Sequence, residues 1–182
     1  MNNDSLSEKE KIEWATATAF IEFYNKKMGK SFQVLEHLVP PDPDFLCIDS
    51  HHNDLKLEIT LTQDRPGDIP ALLGRSKQLS IEKLREENKL IREGKAHPLQ
   101  FVSCFSGNVL SMLIQRIKEK FKKDYGTNTA LVVRDTSRLE WDWNMEINNI
   151  RNRLDIAKNP FNNGIWIISC NRYNEYNIYR VI

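Results

Sequence analysis

Apolar and polar positions alternate along this chain in distinct rhythms, and each rhythm marks a different element. Ser7 with Glu10 has the spacing of a capping box, and Ile12, Ala15, Ala19 and Phe23 then recur at helical spacing. This pattern predicts a helix running to about Met28, with Gly29 as its stop. Phe32–His37 reads as a strand, and Pro40, Pro41 and Pro43 cannot continue a central one. Phe45–Asp49 is a second short strand, Ser50–Asp54 a polar turn, and Leu55–Leu61 returns with strict alternation. Together these predict an antiparallel meander.

Beyond a loop at Gln63–Asp68, a long polar helical stretch is expected from about Ile69 to Arg92, with Gly94 as its end. Leu99–Cys104 is a near-continuous apolar run, read as a buried strand. Val109–Lys123 is an amphipathic helix carrying Val109, Leu113, Ile117 and Phe121 along one side, and Ala130–Arg134 is the next buried strand. Strand, helix and strand at this spacing require a crossover, so at least two strands should be parallel. Ile147, Ile150 and Leu154 predict a helix in the second half of Glu140–Lys158, and Gly164–Cys170 with Glu175–Ile182 reads as a hairpin. The expected architecture is α/β, with a mixed central sheet flanked by helices in a single domain spanning residues 1–182.

Composition narrows the class. With 40% hydrophobic and 28% charged residues, the 182-residue chain can bury a sizeable core without disulfides or structural metal. A formal net charge of +1 predicts no polyanion partner, so nucleic acid would have to be met by local basic clusters. Cys47, Cys104 and Cys170 lie far apart in apolar runs, a pattern of buried thiols in a reducing compartment. No apolar stretch approaches the roughly 20 residues that span a bilayer. A cytoplasmic protein without membrane contact is expected.

Candidate chemistry centres on two acids. Asp44 stands just before one short strand, and Glu58 lies within the next, where Lys56, Glu58 and Thr60 share the side opposite Leu55, Leu57, Ile59 and Leu61. If the two strands pair across the Ser50–Asp54 turn, Asp44 and Glu58 can approach closely enough to share a hard cation such as Mg²⁺. The plain alternative is a half-buried antiparallel pair whose polar side is solvated.

The order of these features carries a resemblance. An N-terminal helix, a Glu on the first strand, Pro43-Asp44-Phe45 and then Leu57-Glu58-Ile59-Thr60 resemble the PD-(D/E)xK nuclease superfamily, in the branch with Glu-x-Thr where Glu-x-Lys is usual. The basic helix Leu113–Lys123 leading through Tyr125 into Ala130–Arg134 is similar to an arrangement in several small members. The resemblance covers residues 8–135 and implies a three-layer restriction-endonuclease-like core, with residues 136–182 packed on it as an extension. It also implies a Mg²⁺-dependent nuclease, with Mn²⁺ as substitute and DNA as the expected substrate. Asp44, Glu58 and the Ile59 carbonyl would hold the metal, completed by an acid from the first strand or first helix, Glu36 or Glu22. Thr60 occupies the lysine position and cannot supply a positive charge. Lys56 from the same strand, or Lys77, Lys118 or Lys120 from a helix, would then take that catalytic role. Arg75, Lys77, Arg116, Lys118, Lys122 and Lys123 are the candidates for gripping nucleic-acid phosphates.

Other features add little. His37, His51, His52 and His97 lack zinc-ligand spacing. Trp141 and Trp143, alternating on an extended piece, and Tyr173, Tyr176 and Tyr179 suit core packing or a homodimer interface better than base stacking. Two rivals stand beside the nuclease. One is a catalytically inactive nucleic-acid-binding module on the same fold, favoured by Thr60. The other is a protein-interaction subunit, favoured by the near-neutral charge.

Overall fold

The computed structural model describes residues 6–61, 102–135, 142–170 and 176–182. The helical stretch expected at 69–92, with Arg75 and Lys77, lies outside them, as do Leu99–Phe101, Trp141 and Tyr173.

The first helix, α1 (Glu8–Met28), begins and ends where its caps require. The Ser7 hydroxyl accepts the Glu10 N–H, and the Glu10 carboxylate accepts the Ser7 N–H at 2.7 Å, so two otherwise orphaned donors are satisfied. Gly29 closes the helix in the left-handed conformation, φ 62° and ψ 40°. Its buried face is not the expected one. Ala17, Phe20, Ile21 and Tyr24 face the core, in line with Glu13 and Thr16, whereas Ile12 and Ala15 are exposed.

The meander follows as β1 (Gln33–His37), β2 (Phe45–Ile48) and β3 (Asp54–Leu61), antiparallel throughout. The second described helix, α2 (Val102–Lys120), starts inside the apolar run taken as a strand at Leu99–Cys104. Val102–Cys104 are helical: a short apolar run satisfies helix and strand alike, and here it continues into the stripe Leu110, Leu113, Ile114, Ile117. The chain then enters β4 (Thr129–Arg134), parallel to β3. Helix α3 (Trp143–Arg153) is N-capped by Asp142, which accepts the N–H groups of Asn144 and Met145. Trp143, expected on an extended piece, is therefore the first residue of a helix and is buried. A 3-10 turn (Ile156–Lys158) leads to β5 (Ile165–Cys170), parallel to β4, and β6 (Tyr176–Arg180) returns antiparallel.

The result is one mixed six-stranded sheet in the order β1-β2-β3-β4-β5-β6, flanked by three described helices. Alternation along the central strands splits the core in two. Leu57, Ile59, Ala130, Val132, Trp166 and Ile168 pack under α1, while Leu131, Val133, Ile165 and Ile167 pack under α2 and α3. Residues beyond 135 supply two strands of this same sheet. Among the described residues no helix is long and apolar enough to cross a membrane.

A mismatch in strand length positions everything that follows. The last β2–β3 pair is Phe45↔Leu57, but β3 continues against β4 as far as Leu61↔Arg134. Glu58–Leu61 thus overhang the end of β2, and among the described residues no strand pairs with that edge.

Candidate functional site

The overhang exposes backbone groups that must find partners. Lys56 donates its N–H to Asn128 beside β4, so the odd-numbered residues of β3 face the β2 edge. The Ile59 N–H finds the Asp44 Oδ2 at 2.7 Å, and the Leu61 carbonyl accepts from Arg116 Nη1 on α2. The Asp44 carbonyl in turn accepts the Leu38 N–H at 2.8 Å, which fixes the acid at the mouth of β1 and β2. Side chains therefore complete the edge where a strand stops. The Ile59 carbonyl leaves the strand on the same edge as its N–H, facing the open notch.

That notch opens into a cleft of about 390 Å³, lined by Lys9 and Glu13 of α1, Asp44, Ile59–Leu61, and Arg116, Glu119, Lys120 and Lys123. Arg116 and Lys120 stand four residues apart on α2, one turn from each other, and Lys123 follows in the turn beyond the helix end. Glu58 lies behind this wall, 6% exposed, on the α2 face of β3. Its Oε1 pairs with Lys120 Nζ and lies 3.4 Å from the Tyr125 hydroxyl. The Tyr125 ring packs on Phe161 with centroids 4.9 Å apart, and its carbonyl accepts the Thr129 hydroxyl, so the phenol is held from both ends.

Electrostatics bind the acids into one unit. Burial pushes the Glu58 carboxyl above the usual range, and the Asp44 charge adds to the rise while Lys120 opposes it. Glu13, 4% exposed, is raised by burial and by the same Asp44, against the pull of Lys9 at 3.3 Å. Burial also lifts the Tyr125 phenol, helped by the Glu58 charge, and keeps it protonated as a donor. Arg116 is lowered by burial. Cys47, buried beneath α1, is pushed up to about 12 and is inert as a nucleophile.

No protein-family model, curated protein or solved structure matches this chain.

The expected site residues divide cleanly. Asp44, Ile59, Thr60, Arg116, Lys120 and Lys123 line the cleft, and Glu58 sits directly behind Lys120. Lys56 lies two residues before Glu58 but does not line it, and Lys118 and Lys122 are exposed elsewhere. Glu22 and Glu36 do not join the other acids. Glu22 faces a separate cleft with Trp14, Ala15, Ala19 and Tyr176, and Glu36 is exposed on the sheet edge in β1. The first-helix acid beside Asp44 is instead Glu13. Its signal was present in the sequence, since Glu13 precedes Ala17, Phe20, Ile21 and Tyr24 in phase.

Carboxylates and a backbone carbonyl are the hard donors that Mg²⁺ takes. Among the described residues, however, no group of three or more His, Cys, Asp or Glu is gathered closely enough to hold a metal ion. Glu58 Oε1 is already paired with the Lys120 ammonium.

Proposed function

We propose that this chain is a metal-dependent nuclease of restriction-endonuclease-like architecture, hydrolysing phosphodiester bonds in DNA. The observation that carries the reading is the overhang of β3, where Asp44, the Ile59 carbonyl and Glu58 stand beside Arg116 and Lys120 of α2 and Lys123 of the turn that follows it. Two buried acids, Glu13 and Glu58, each raised by burial and then by the Asp44 charge, are costly to keep for stability alone. A divalent cation would relieve that strain, and the donor set suits it in kind.

Mg²⁺, or Mn²⁺ in its place, supplies Lewis acidity toward the scissile phosphate and a water of lowered pKa. Asp44, Glu58 and the Ile59 carbonyl are the groups to hold it, with Glu13 completing the acidic wall. Thr60 is neutral, so Lys120 takes the lysine role from α2 and faces the charge that develops on the phosphoryl oxygens. Lys123 and Lys9 hold flanking phosphates from opposite walls of the cleft. Glu58 rests on Tyr125 and Lys120, which fix its orientation.

Asp44→Asn and Glu58→Gln are the decisive variants, because each keeps a polar group of the same shape and the Asn oxygen can still accept the Ile59 N–H. We expect both to fold and to lose Mg²⁺-dependent DNA cleavage by at least about a hundredfold, the scale of removing one electrostatic contact to a transition state. Undiminished cleavage in both would dismiss the reading. A second reading, DNA binding without cleavage, is favoured by the ammonium already seated on Glu58. It predicts DNA binding that needs no metal and no product at any Mg²⁺ concentration.

A further inference from the structure

A second cleft, of about 530 Å³, lies along α1, and its lining differs in kind from the first. Where the first gathers Arg116, Lys120, Lys123 and Lys9, this one is lined by Trp14, Ala15, Thr18 and Ala19 of α1 and by Tyr176 of β6. Lys11 and Glu22 also line it, and their charges cancel. Alanines four residues apart, with Thr18 between them, keep the α1 wall shallow. Helix α1 is the ridge between the two clefts. Glu13 lines the first, and its neighbour Trp14 lines the second while resting edge-on against Phe45, the residue after Asp44, with ring centroids 5.0 Å apart. Tyr176 leads β6 in phase with Ile178, which packs on the α1 side of the sheet, and Arg134 follows Ala130 and Val132 onto that side. There the two meet, the Arg134 guanidinium carbon lying 4.7 Å from the Tyr176 ring centroid. One face of the ring is thus backed by a planar cation, yet Tyr176 is 45% exposed, so core packing does not use the rest of it. Arg134 Nη1 is buried without a hydrogen-bond partner, a costly state that an acceptor on a group bound beside Tyr176 would relieve.

We propose that this second cleft takes an unpaired nucleobase, stacked on Tyr176 against the Trp14 wall, from a strand whose phosphates lie on the cations of the first cleft. This rests on the nucleic-acid reading of the first cleft and names the part of the substrate that the second one takes. A base is flat and apolar on its faces, with carbonyl acceptors at its edge, so it suits an aromatic cleft of balanced charge, whereas the backbone suits the basic one. Both rings are held before anything binds, Tyr176 by Arg134 and Trp14 by Phe45, so little ordering is left for the ligand to bring about. A base inside a duplex is stacked on both faces and cannot enter, which restricts the cleft to unpaired or extruded nucleotides.

The test uses the full chain with a chelator present, so that binding is read apart from any cleavage. The probe is a labelled oligothymidylate of about ten nucleotides, alone or paired with its complement, followed by fluorescence anisotropy. Tyr176→Ala should weaken binding of the single strand by at least about tenfold, the scale of one lost base–aromatic stack, while Tyr176→Phe stays within about twofold. Met145→Ala, exposed on α3 in the other helical layer, should match the unaltered protein. Binding of the duplex should be the same with and without the Tyr176 ring. Thermal melting checks folding, and Tyr176→Leu, which keeps the bulk and removes the ring, replaces Tyr176→Ala should that variant fail. Equal affinity of Tyr176→Ala and the unaltered protein for the single strand overturns the proposal, as does an equal loss on strand and duplex, or no binding of the strand. Thymidine 5′-monophosphate that displaces the strand as readily as the strand displaces itself would make a free nucleotide the ligand of the same cleft. Tyr176-dependent binding without Mg²⁺-dependent cleavage by the unaltered protein would retire the nuclease and keep the base cleft. Cleavage with binding indifferent to Tyr176 would do the reverse.

Discussion

Glu13 shows most directly what the fold tolerates for the sake of the cleft. It sits on the core-facing side of α1, 4% exposed, and its one ion-pair partner is the largely exposed Lys9. Lys preceding Glu by four residues is the weaker order on a helix, so the pair contributes no more than about 0.5 kcal/mol. Burial and then the Asp44 charge outweigh it, and the folded carboxyl titrates above its ordinary range. A carboxyl raised in the folded state gives stability that is full below its unfolded pKa and is lost as pH rises through the folded pKa. Glu13→Gln removes that loss. The variant should therefore be more stable than the unaltered chain at neutral pH, by about 1 kcal/mol on the usual scale of single substitutions. The advantage should shrink toward zero near about pH 4, where carboxyls approach protonation. Melting curves at the two pH values decide it, and a variant less stable at neutral pH would mark Glu13 as an ordinary structural acid.

At the scale of elements, legibility followed how many independent signals each segment carried. The caps of α1, the alternation in β3 and the apolar strands β4 and β5 were readable because pattern and punctuation agreed. The phase of α1 was not. Small alanines at 15, 17 and 19 fit either face, and the aromatic residues Trp14, Phe20, Phe23 and Tyr24 spread around the cylinder. Choosing the face through Ala15 and Ala19 pointed to Glu22, whereas packing chose the face through Ala17 and Phe20, which carries Glu13. Val102–Cys104 failed for a related reason, since an apolar run of that length has no period of its own. Asp44 and Glu58 were singled out by spacing and resemblance, whereas the overhanging end of β3 beside them could be seen only from the pairing register. The basic run on α2 was visible only as a run. Helical geometry places Arg116 and Lys120 on the cleft and leaves Lys118 outside, and the turn after the helix brings Lys123 to the same cleft. Lys123→Ala should accordingly weaken DNA binding and reduce the salt slope by about 0.9, the share of one phosphate contact. Lys118→Ala should leave both within error, and equal effects from the two would show that only overall charge matters.

At the scale of the whole molecule, strand direction sets which residues gather at the cleft. β3, β4 and β5 run parallel, so Leu61, Arg134 and Cys170 end together at the cleft side, where loops of α/β sheets receive ligands. β5 begins two residues further along than β4, with Ile165 level with Leu131 and Glu58, and just before it the chain closes on itself. Gly164 accepts the Leu131 N–H at 3.1 Å and donates to the Phe161 carbonyl at 3.0 Å, with φ at +89°. A Cβ at this position would meet the Ile182 carbonyl oxygen at 2.5 Å, a backbone atom that cannot swing aside. Gly164→Ala therefore adds backbone strain to a direct clash, and we expect a loss of about 2–3 kcal/mol. Gly164 lies level with Glu58 but two strands away, across β4, so the change should leave Mn²⁺ affinity per folded molecule unchanged at temperatures where the variant remains native. Urea unfolding and calorimetry on the same sample make the comparison. A drop in affinity alongside the drop in stability would mean that strain at Gly164 reaches Glu58 through β4.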